Sequence, residues 1–294
     1  MAVVCSCSAC RMLLLMAFLS WSALFASGGH AQNRSRIETN QSSGQTVQQL
    51  LSDSRADDAE AVRRIFRLGS EAVPTLVAAL RKRTSVERAS RALVYLGGSG
   101  ERKVVRELIA TEKDPEKKGV IASFLAGALV EPASGEEWGF LESCVKGYKD
   151  EAKGFAAFSA VLALGINASP KALQLLQSVG SPEQRSGSEN DTEEEAGQAI
   201  RWVNQRSLSK VLTSAEKESD SDQIKRTILQ DAFFAAGESE NLSFEEIAFT
   251  QDQTHALVSL DVRGSNKNFH GYDIVLRKES GMWKITGAWF SWAS

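Results

Sequence analysis

The sequence is poor in the residues that mark metal, nucleotide and disulfide-bonded proteins. Its 294 residues include four cysteines and three histidines, with no His-x-x-x-His motif and no Gly-Lys-Ser/Thr phosphate loop. A net charge of -3 argues against nucleic acid as the default partner. The hydrophobic content of 43% is that of a globular protein and excludes a wholly disordered or collagen-like chain. We therefore expect no metal, no cofactor and no nucleic-acid ligand.

One apolar run stands at the start of the chain. Arg11 is followed by 15 mostly apolar residues, Met12 to Ala26, and then by small residues. A membrane-spanning helix needs about 20 predominantly apolar residues, so the pattern favours a cleaved export signal over residues 1–31 rather than a permanent anchor. The cut is expected before Gln32, with a cut after Gly28 as the alternative. We expect a periplasmic or secreted protein that keeps no stable membrane span.

Cleavage would remove three of the four cysteines and leave Cys144. A single cysteine cannot form an internal disulfide. Because Cys144 lies in an apolar stripe with Leu141 and Val145, we expect a packed thiol rather than a nucleophile. His255 and His270 are expected to be edge or surface residues, since no second ligand stands at metal-binding spacing.

The remaining chain divides by composition and period. Residues 32–45 are polar and predict a flexible arm. From 46 to 213, apolar residues recur at three- and four-residue spacing, which predicts a domain of short amphipathic helices with an acidic loop at about 180–198. Residues 214–221 predict a polar linker, and residues 222–294 a second, small domain.

The helical region repeats itself. Leu-Gly pairs end at positions 69 and 97, which are 28 residues apart, and helix starts such as Asp114-Pro115 and Ser169-Pro170 punctuate the region. The segments AVRRIFRLGSEAVPTLVAALR and ERASRALVYLGGSGERKVVRELI, with the Val73-Pro74 step, resemble the paired helices of the short bacterial HEAT-like repeat family. The resemblance covers about residues 57–179 and implies a mainly α fold, a solenoid of about four stacked helix pairs.

The period changes after residue 222. One helix that contains Ile224 and Ile228 precedes four segments with the two-residue alternation of strands, at 244–250, 254–263, 269–278 and 282–292. This pattern predicts a small α+β domain with a four-stranded antiparallel sheet. The closing segment YDIVLRKESGMWKITGAWFSW resembles small domains of the NTF2-like or cystatin-like type.

Two groups of residues are candidates for binding. Residues 55–118 contain 15 Lys or Arg against 10 Asp or Glu, whereas residues 119–221 contain 9 against 15, so the small net charge conceals a basic and an acidic part. The terminal strand places Trp283, Ile285 and Trp289 on one predicted face and Phe290 and Trp292 on the other. The candidate partner-binding residues are Arg63, Arg64, Arg67, Arg81, Lys82, Arg83, Arg88 and Arg91, and the candidate pocket residues are Trp289, Phe290 and Trp292.

The architecture indicates binding rather than catalysis. Stacked helix pairs present an extended concave surface that suits a protein partner and encloses no site for chemistry. We expect an exported, non-enzymatic interaction or scaffold protein whose partner is a protein of the periplasm or envelope. A small apolar ligand or a reaction in the C-terminal domain is the alternative, as the NTF2-like resemblance implies. Chromophore handling is a third, because similar repeats occur in bilin lyases.

Overall fold

The structure of the chain is a computed structural model. It describes residues 43–54, 57–148, 154–180, 196–197, 199–200, 219–231, 242–263 and 269–293. The predicted export signal and most of the predicted arm, acidic loop and linker lie outside these residues. All the described residues belong to one compact unit, Ser42–Ser294.

The described part is mainly helical and ends in a sheet, which confirms the predicted mixture of helices followed by four antiparallel strands. None of its helices is long and apolar enough to cross a membrane. The helices are α1 (Ser43–Ser52), α2 (Asp58–Arg67), α3 (Val73–Arg81), α4 (Val86–Leu96), α5 (Ser99–Thr111), α6 (Pro115–Gly127), α7 (Gly135–Lys146), α8 (Gly154–Asn167), α9 (Pro170–Gln177) and α10 (Asp220–Gln230). The strands are β1 (Leu242–Phe249), β2 (His255–Arg263), β3 (Phe269–Glu279) and β4 (Met282–Ala293).

Local sequence signals set several helix ends. The Asp114 carboxylate accepts hydrogen bonds from the first backbone N–H groups of α6, and Ser169 caps α9 in the same way, each with proline in the first turn. Gly69 follows α2 with a φ of +66°, a left-handed conformation that favours glycine. Gly165, by contrast, lies inside α8, because that helix continues to Asn167.

The helices contact one another in an alternating order. The even-numbered helices α2, α4, α6 and α8 contact in chain sequence, while α3, α5, α7 and α9 each pack against an even-numbered neighbour. The sheet lies against the even-numbered set, with β1 on α2 and β4 on α6 and α8. The even-numbered helices therefore carry the sheet.

The sheet is a meander in the order β1-β2-β3-β4, and both its faces are covered by helices. One face contributes Leu257, Val275 and Trp289 to a core shared with the helical region. The other face contributes Ile274 and Ile285 to a second core with α8 and α10. Within the described residues, the helical region and the C-terminal sheet are thus joined through two shared cores.

A β-bulge changes which residues of β4 face the helices. Val275 pairs with Gly287 and Leu276 pairs with Ile285, so Thr286 is an extra residue in β4. Because side chains alternate along a strand, this extra residue turns the side chains that follow it to the opposite face as far as Phe290, where Ser291 is a second extra residue. The prediction that Trp289 shares a face with Trp283 and Ile285 is therefore wrong.

The Trp289 indole packs against Gly127 of α6 and Gly287 of β4. A substitution at Gly127 tests this close packing. A Cβ at Gly127 would lie 2.4 Å from the Ala288 carbonyl oxygen and 2.5 Å from the Trp289 indole. We expect Gly127→Ala to lower the free energy of unfolding by about 1–3 kcal/mol through overpacking.

Gly139 in α7 provides the matched control, since nothing lies within 4 Å of its Cβ position. There, Gly139→Ala is expected to raise the free energy of unfolding by up to about 1 kcal/mol through helix propensity. Urea unfolding followed by circular dichroism measures both variants. Changes of the same sign and size at the two positions would contradict the packing described for Gly127.

A charged cleft between the helices and the sheet

One row of side chains crosses all four strands on the face that meets α2 and α4. Glu246 of β1 pairs in register with Ser259 of β2, Ser259 with Asp273 of β3, and Asp273 with Trp289 of β4. Trp289 is buried, whereas the three polar residues line a cleft of about 580 Å³ at the helix–sheet junction. Its lining also includes Asp57, Asp58, Ala59, Arg63, Arg91, Glu245, Leu260, Asp261, Tyr272 and Ser291.

Arg91, Tyr95 and Asp273 form a buried polar network at the base of this cleft. Nη2 of Arg91 donates to Oδ2 of Asp273 at 2.6 Å, and the Tyr95 hydroxyl donates to the same oxygen at 2.9 Å. Nε of Arg91 donates to the Tyr95 hydroxyl at 2.8 Å. The side chains of Arg91 and Asp273 are 17% and 8% exposed, so this ion pair is largely removed from water.

Burial and charge fix the protonation states of this network. Burial raises the pKa of Tyr95 despite the opposing effect of Arg91, so the phenol stays protonated and can donate to the carboxylate. Interactions with Tyr95 and Asp273 raise the pKa of Arg91 in spite of its burial, so the guanidinium stays charged. The network is therefore a fixed pair of opposite charges.

Ser259 and Arg63 extend the network towards β1. The Ser259 hydroxyl donates to Oδ1 of Asp273 at 3.1 Å and accepts from Nη1 of Arg63 at 3.3 Å. Nε of Arg63 lies 3.3 Å from Glu60 and 3.5 Å from Glu246. Both oxygens of Asp273 thus have donors, which leaves this carboxylate as a structural group.

The outer part of the cleft is acidic. A bulge in β1 gives Phe244 and Glu246 consecutive partners in β2, so Glu245 is an extra residue and also reaches the cleft. Burial and the neighbouring charge of Glu245 raise the pKa of Asp261, which indicates that its charge is poorly compensated. With Asp57 at the cap of α2, these carboxylates form the rim.

Most of the predicted basic binding residues are engaged within the chain. Arg63, Arg67 and Arg91 meet carboxylates of the sheet, and Arg67 pairs with Glu246. Arg83 donates to the side chain of Thr111 at 2.8 Å and lies 3.2 Å from Glu112.

The four other basic residues lie away from the sheet contacts. Arg88 pairs with Asp58 and donates to the carbonyl oxygens of Leu50 and Asp53. Arg64, Arg81 and Lys82 are exposed and form no ion pair with other described residues. The eight predicted residues are therefore not one free surface.

The candidate pocket residues of β4 do not lie together either, because Trp289 and Phe290 face opposite sides of the sheet. The Trp289 ring lies 4.4 Å from the Tyr95 ring, and its Nε1 donates to the Phe124 carbonyl oxygen at 2.7 Å. Phe290 lies on the other face, with its ring 5.2 Å from Phe158 of α8. Trp292 pairs in register with Gly271, and its side chain lies outside the described part. Trp289 and Phe290 fill cores rather than line a shared pocket.

Other reactive groups are placed as packing residues. Cys144 is buried, and burial raises the pKa of its thiol to about 12. His255 is half-buried, and burial together with the charge of Arg277 lowers its pKa. The side chain of His270 is outside the described part. Among the residues that are described, no group of three or more His, Cys, Asp or Glu is placed to hold a metal ion.

Sequence reasoning missed the polar residues of the sheet that form the cleft. Ser259 and Asp261 alternate with apolar residues in β2, and Asp273 interrupts an apolar stretch in β3. A carboxylate in a strand covered on both faces is a signal for a buried partner. Its partner, Arg91, is 182 residues away in the chain, so the pairing itself had no local signal.

Comparison of the chain with protein-family models, with curated proteins and with solved structures gave no match.

Proposed function

We propose that this chain is an exported, non-enzymatic binding module whose cleft takes a peptide segment of a protein partner. The cleft carries this proposal: its volume of about 580 Å³ lies within the range of sites that hold small ligands and side chains. Its walls come from α2, α4 and all four strands, so packed secondary structure holds the binding groups in place.

The repeat architecture is part of the proposal. The alternating contacts of even- and odd-numbered helices support a HEAT-like solenoid, in which the even-numbered helices form the inner row. The sheet covers that row, so the partner would bind at the junction of α2, α4 and the sheet rather than along the whole inner surface. Export rests on the signal pattern of residues 1–31.

A binding role agrees with the chemistry of the cleft. Asp273 has hydrogen-bond donors on both oxygens, and Tyr95 is held protonated, so neither is available as a general base. Ser259 is bonded to a carboxylate and to a guanidinium, without the neutral base that activates a serine nucleophile. These groups can hold a ligand in a fixed electrostatic environment.

Photo-crosslinking from single positions tests the site. A photoreactive phenylalanine analogue at Ala59 or at Ser291, both of which line the cleft, is expected to give one discrete crosslinked partner in the envelope of the source cells. The same analogue at Ser143, an exposed residue of α7, is the control and is expected to give none. Mass spectrometry of the adduct identifies the partner and its contacting segment.

Crosslinking from Lys82 distinguishes binding in the cleft from binding to the exposed basic residues Arg64, Arg81 and Lys82. Lys82 is exposed at the end of α3 and lies outside the lining of the cleft. Crosslinks at Lys82 but at neither cleft position would contradict the cleft as the binding site. A crosslink at Ala59 or Ser291 that still forms in the Ser259→Trp variant, whose indole is expected to fill the cavity, would also contradict it.

A further inference from the structure

The base of the cleft presents unused hydrogen-bond donors of two arginines. Arg91 donates to its partners through Nε and Nη2, and Arg63 through Nε and Nη1. Nη1 of Arg91 and Nη2 of Arg63 have no partner among the described residues. Both side chains line the cavity, so these nitrogens can donate to an oxygen anion that enters it.

The two arginines cannot move aside without breaking the network. Arg91 is packed beside the rings of Tyr95 and Phe124, 5.7 and 5.9 Å from its guanidinium carbon. Arg63 bridges α2 to Ser259 of the sheet. The donors are therefore preorganised, so the protein side chains lose little conformational entropy when a ligand binds.

The rim has the opposite charge. Glu246 and Asp58 pair with arginines, but Asp57, Glu245 and Asp261 pair with no described cation. The cavity thus has charge-balanced arginines with unused donors at its base and an uncompensated anionic rim.

We infer that the cleft recognises a short peptide segment that carries a carboxylate and a cationic group a few residues apart. The carboxylate binds the free edges of Arg63 and Arg91, and the ammonium or guanidinium group binds Asp57, Glu245 and Asp261. A neutral or purely anionic segment leaves the rim carboxylates unpaired, and a purely cationic one leaves the arginine donors unused. This inference rests on the proposed function, since it names the ligand of the same cleft.

Isothermal titration with three small peptides tests the inference. The probe Lys-Ala-Ala has free ammonium groups and a free terminal carboxylate. The second peptide, Lys-Ala-Ala with a C-terminal amide, lacks the carboxylate. The third peptide, N-acetyl-norleucyl-Ala-Ala, lacks both ammonium groups but has a side chain of similar length. We expect Lys-Ala-Ala to bind, and each altered peptide to bind at least about 10-fold more weakly, because each loses charge-assisted hydrogen bonds.

Rim variants assign the cationic contact without disturbing the buried network. The double variant Glu245→Gln and Asp261→Asn is expected to weaken Lys-Ala-Ala at least about 10-fold and to leave the acetylated peptide unchanged. Glu142→Gln, on the exposed face of α7, is the control and is expected to change neither. Circular dichroism verifies that the variants are folded.

The outcomes distinguish this inference from the function on which it rests. Equal affinity for the three peptides, no binding of Lys-Ala-Ala, or indifference to the rim variants overturns the two-charge ligand. If cleft crosslinks persist in that case, the binding module stands with a ligand of other chemistry. If the cleft gives no crosslinks, the proposed function itself fails.

Discussion

Trp289→Ala is expected to lower the free energy of unfolding by about 3–5 kcal/mol, the range for removing a large buried aromatic side chain. Trp289 is 3% exposed and joins the sheet to the helices through its contact with Tyr95 and its hydrogen bond to Phe124. Removing it leaves a cavity at the centre of the shared core. Urea unfolding followed by helix circular dichroism measures the change.

A double-mutant cycle with Gly287 isolates the close contact within β4. A Cβ at Gly287 would lie 2.1–3.0 Å from three atoms of the Trp289 ring, and these are its three nearest neighbours. Gly287→Ala is therefore expected to destabilise the wild-type chain by about 1–3 kcal/mol. In the Trp289→Ala background this cost should vanish, since the obstructing ring is absent.

The exposed Met282 provides the reference for β4. It begins the same strand and is 70% exposed, so Met282→Ala is expected to change the free energy of unfolding by no more than about 0.5 kcal/mol. A loss near that value for Trp289→Ala, or strict additivity of Trp289→Ala and Gly287→Ala, would contradict the packing of the indole between the two glycines.

Local periodicity was enough to predict the order of elements. Apolar spacing in α2, with Val62, Ile65 and Phe66 buried, and alternation in β2, with Val258 and Leu260 buried, are properties of neighbouring residues. Caps such as Asp114 act within one helical turn. These features were therefore visible without knowledge of what each element packs against.

The face of Trp289 could not be predicted from the same alternation. Residues 285 and 289 share a face in a regular strand, but the extra residue at Thr286 reverses the later part of β4. The bulge is a shift in the pairing of β4 with β3, and it turns Trp289 towards Gly127 of α6. Strict alternation along β4 contains no sign of this shift.

The cleft could not be predicted for a related reason. The basic residues Arg63 and Arg91 suggested a free surface, because their carboxylate partners in the sheet, Glu246 and Asp273, stand about 180 residues later in the chain. Charge counted along the sequence misses such pairs. The cleft forms where α2 and α4 pack against the polar row of the sheet. In the sequence, the helices and the strands each show only the pattern of an ordinary amphipathic surface.

Asp273→Ala is expected to lower the free energy of unfolding by about 3–5 kcal/mol, because it leaves Arg91 as a largely buried charge without its carboxylate. Arg91 cannot relieve this cost by losing its proton near neutral pH, since arginine stays charged there. Ser259 and Tyr95 also lose their acceptor. The measurement is urea unfolding at neutral pH.

Glu142→Ala is the matched control, since it breaks an exposed ion pair with Lys146 at 2.6 Å and is expected to lower the free energy of unfolding far less than Asp273→Ala does. Replacing both Arg91 and Asp273, with Met and Ala, should recover part of the loss because no charge is then left unpaired. If Asp273→Ala costs no more than Glu142→Ala, the network is not held as a desolvated pair. In that case the arginine edges are not preorganised, and the peptide affinity predicted for the cleft loses its physical basis.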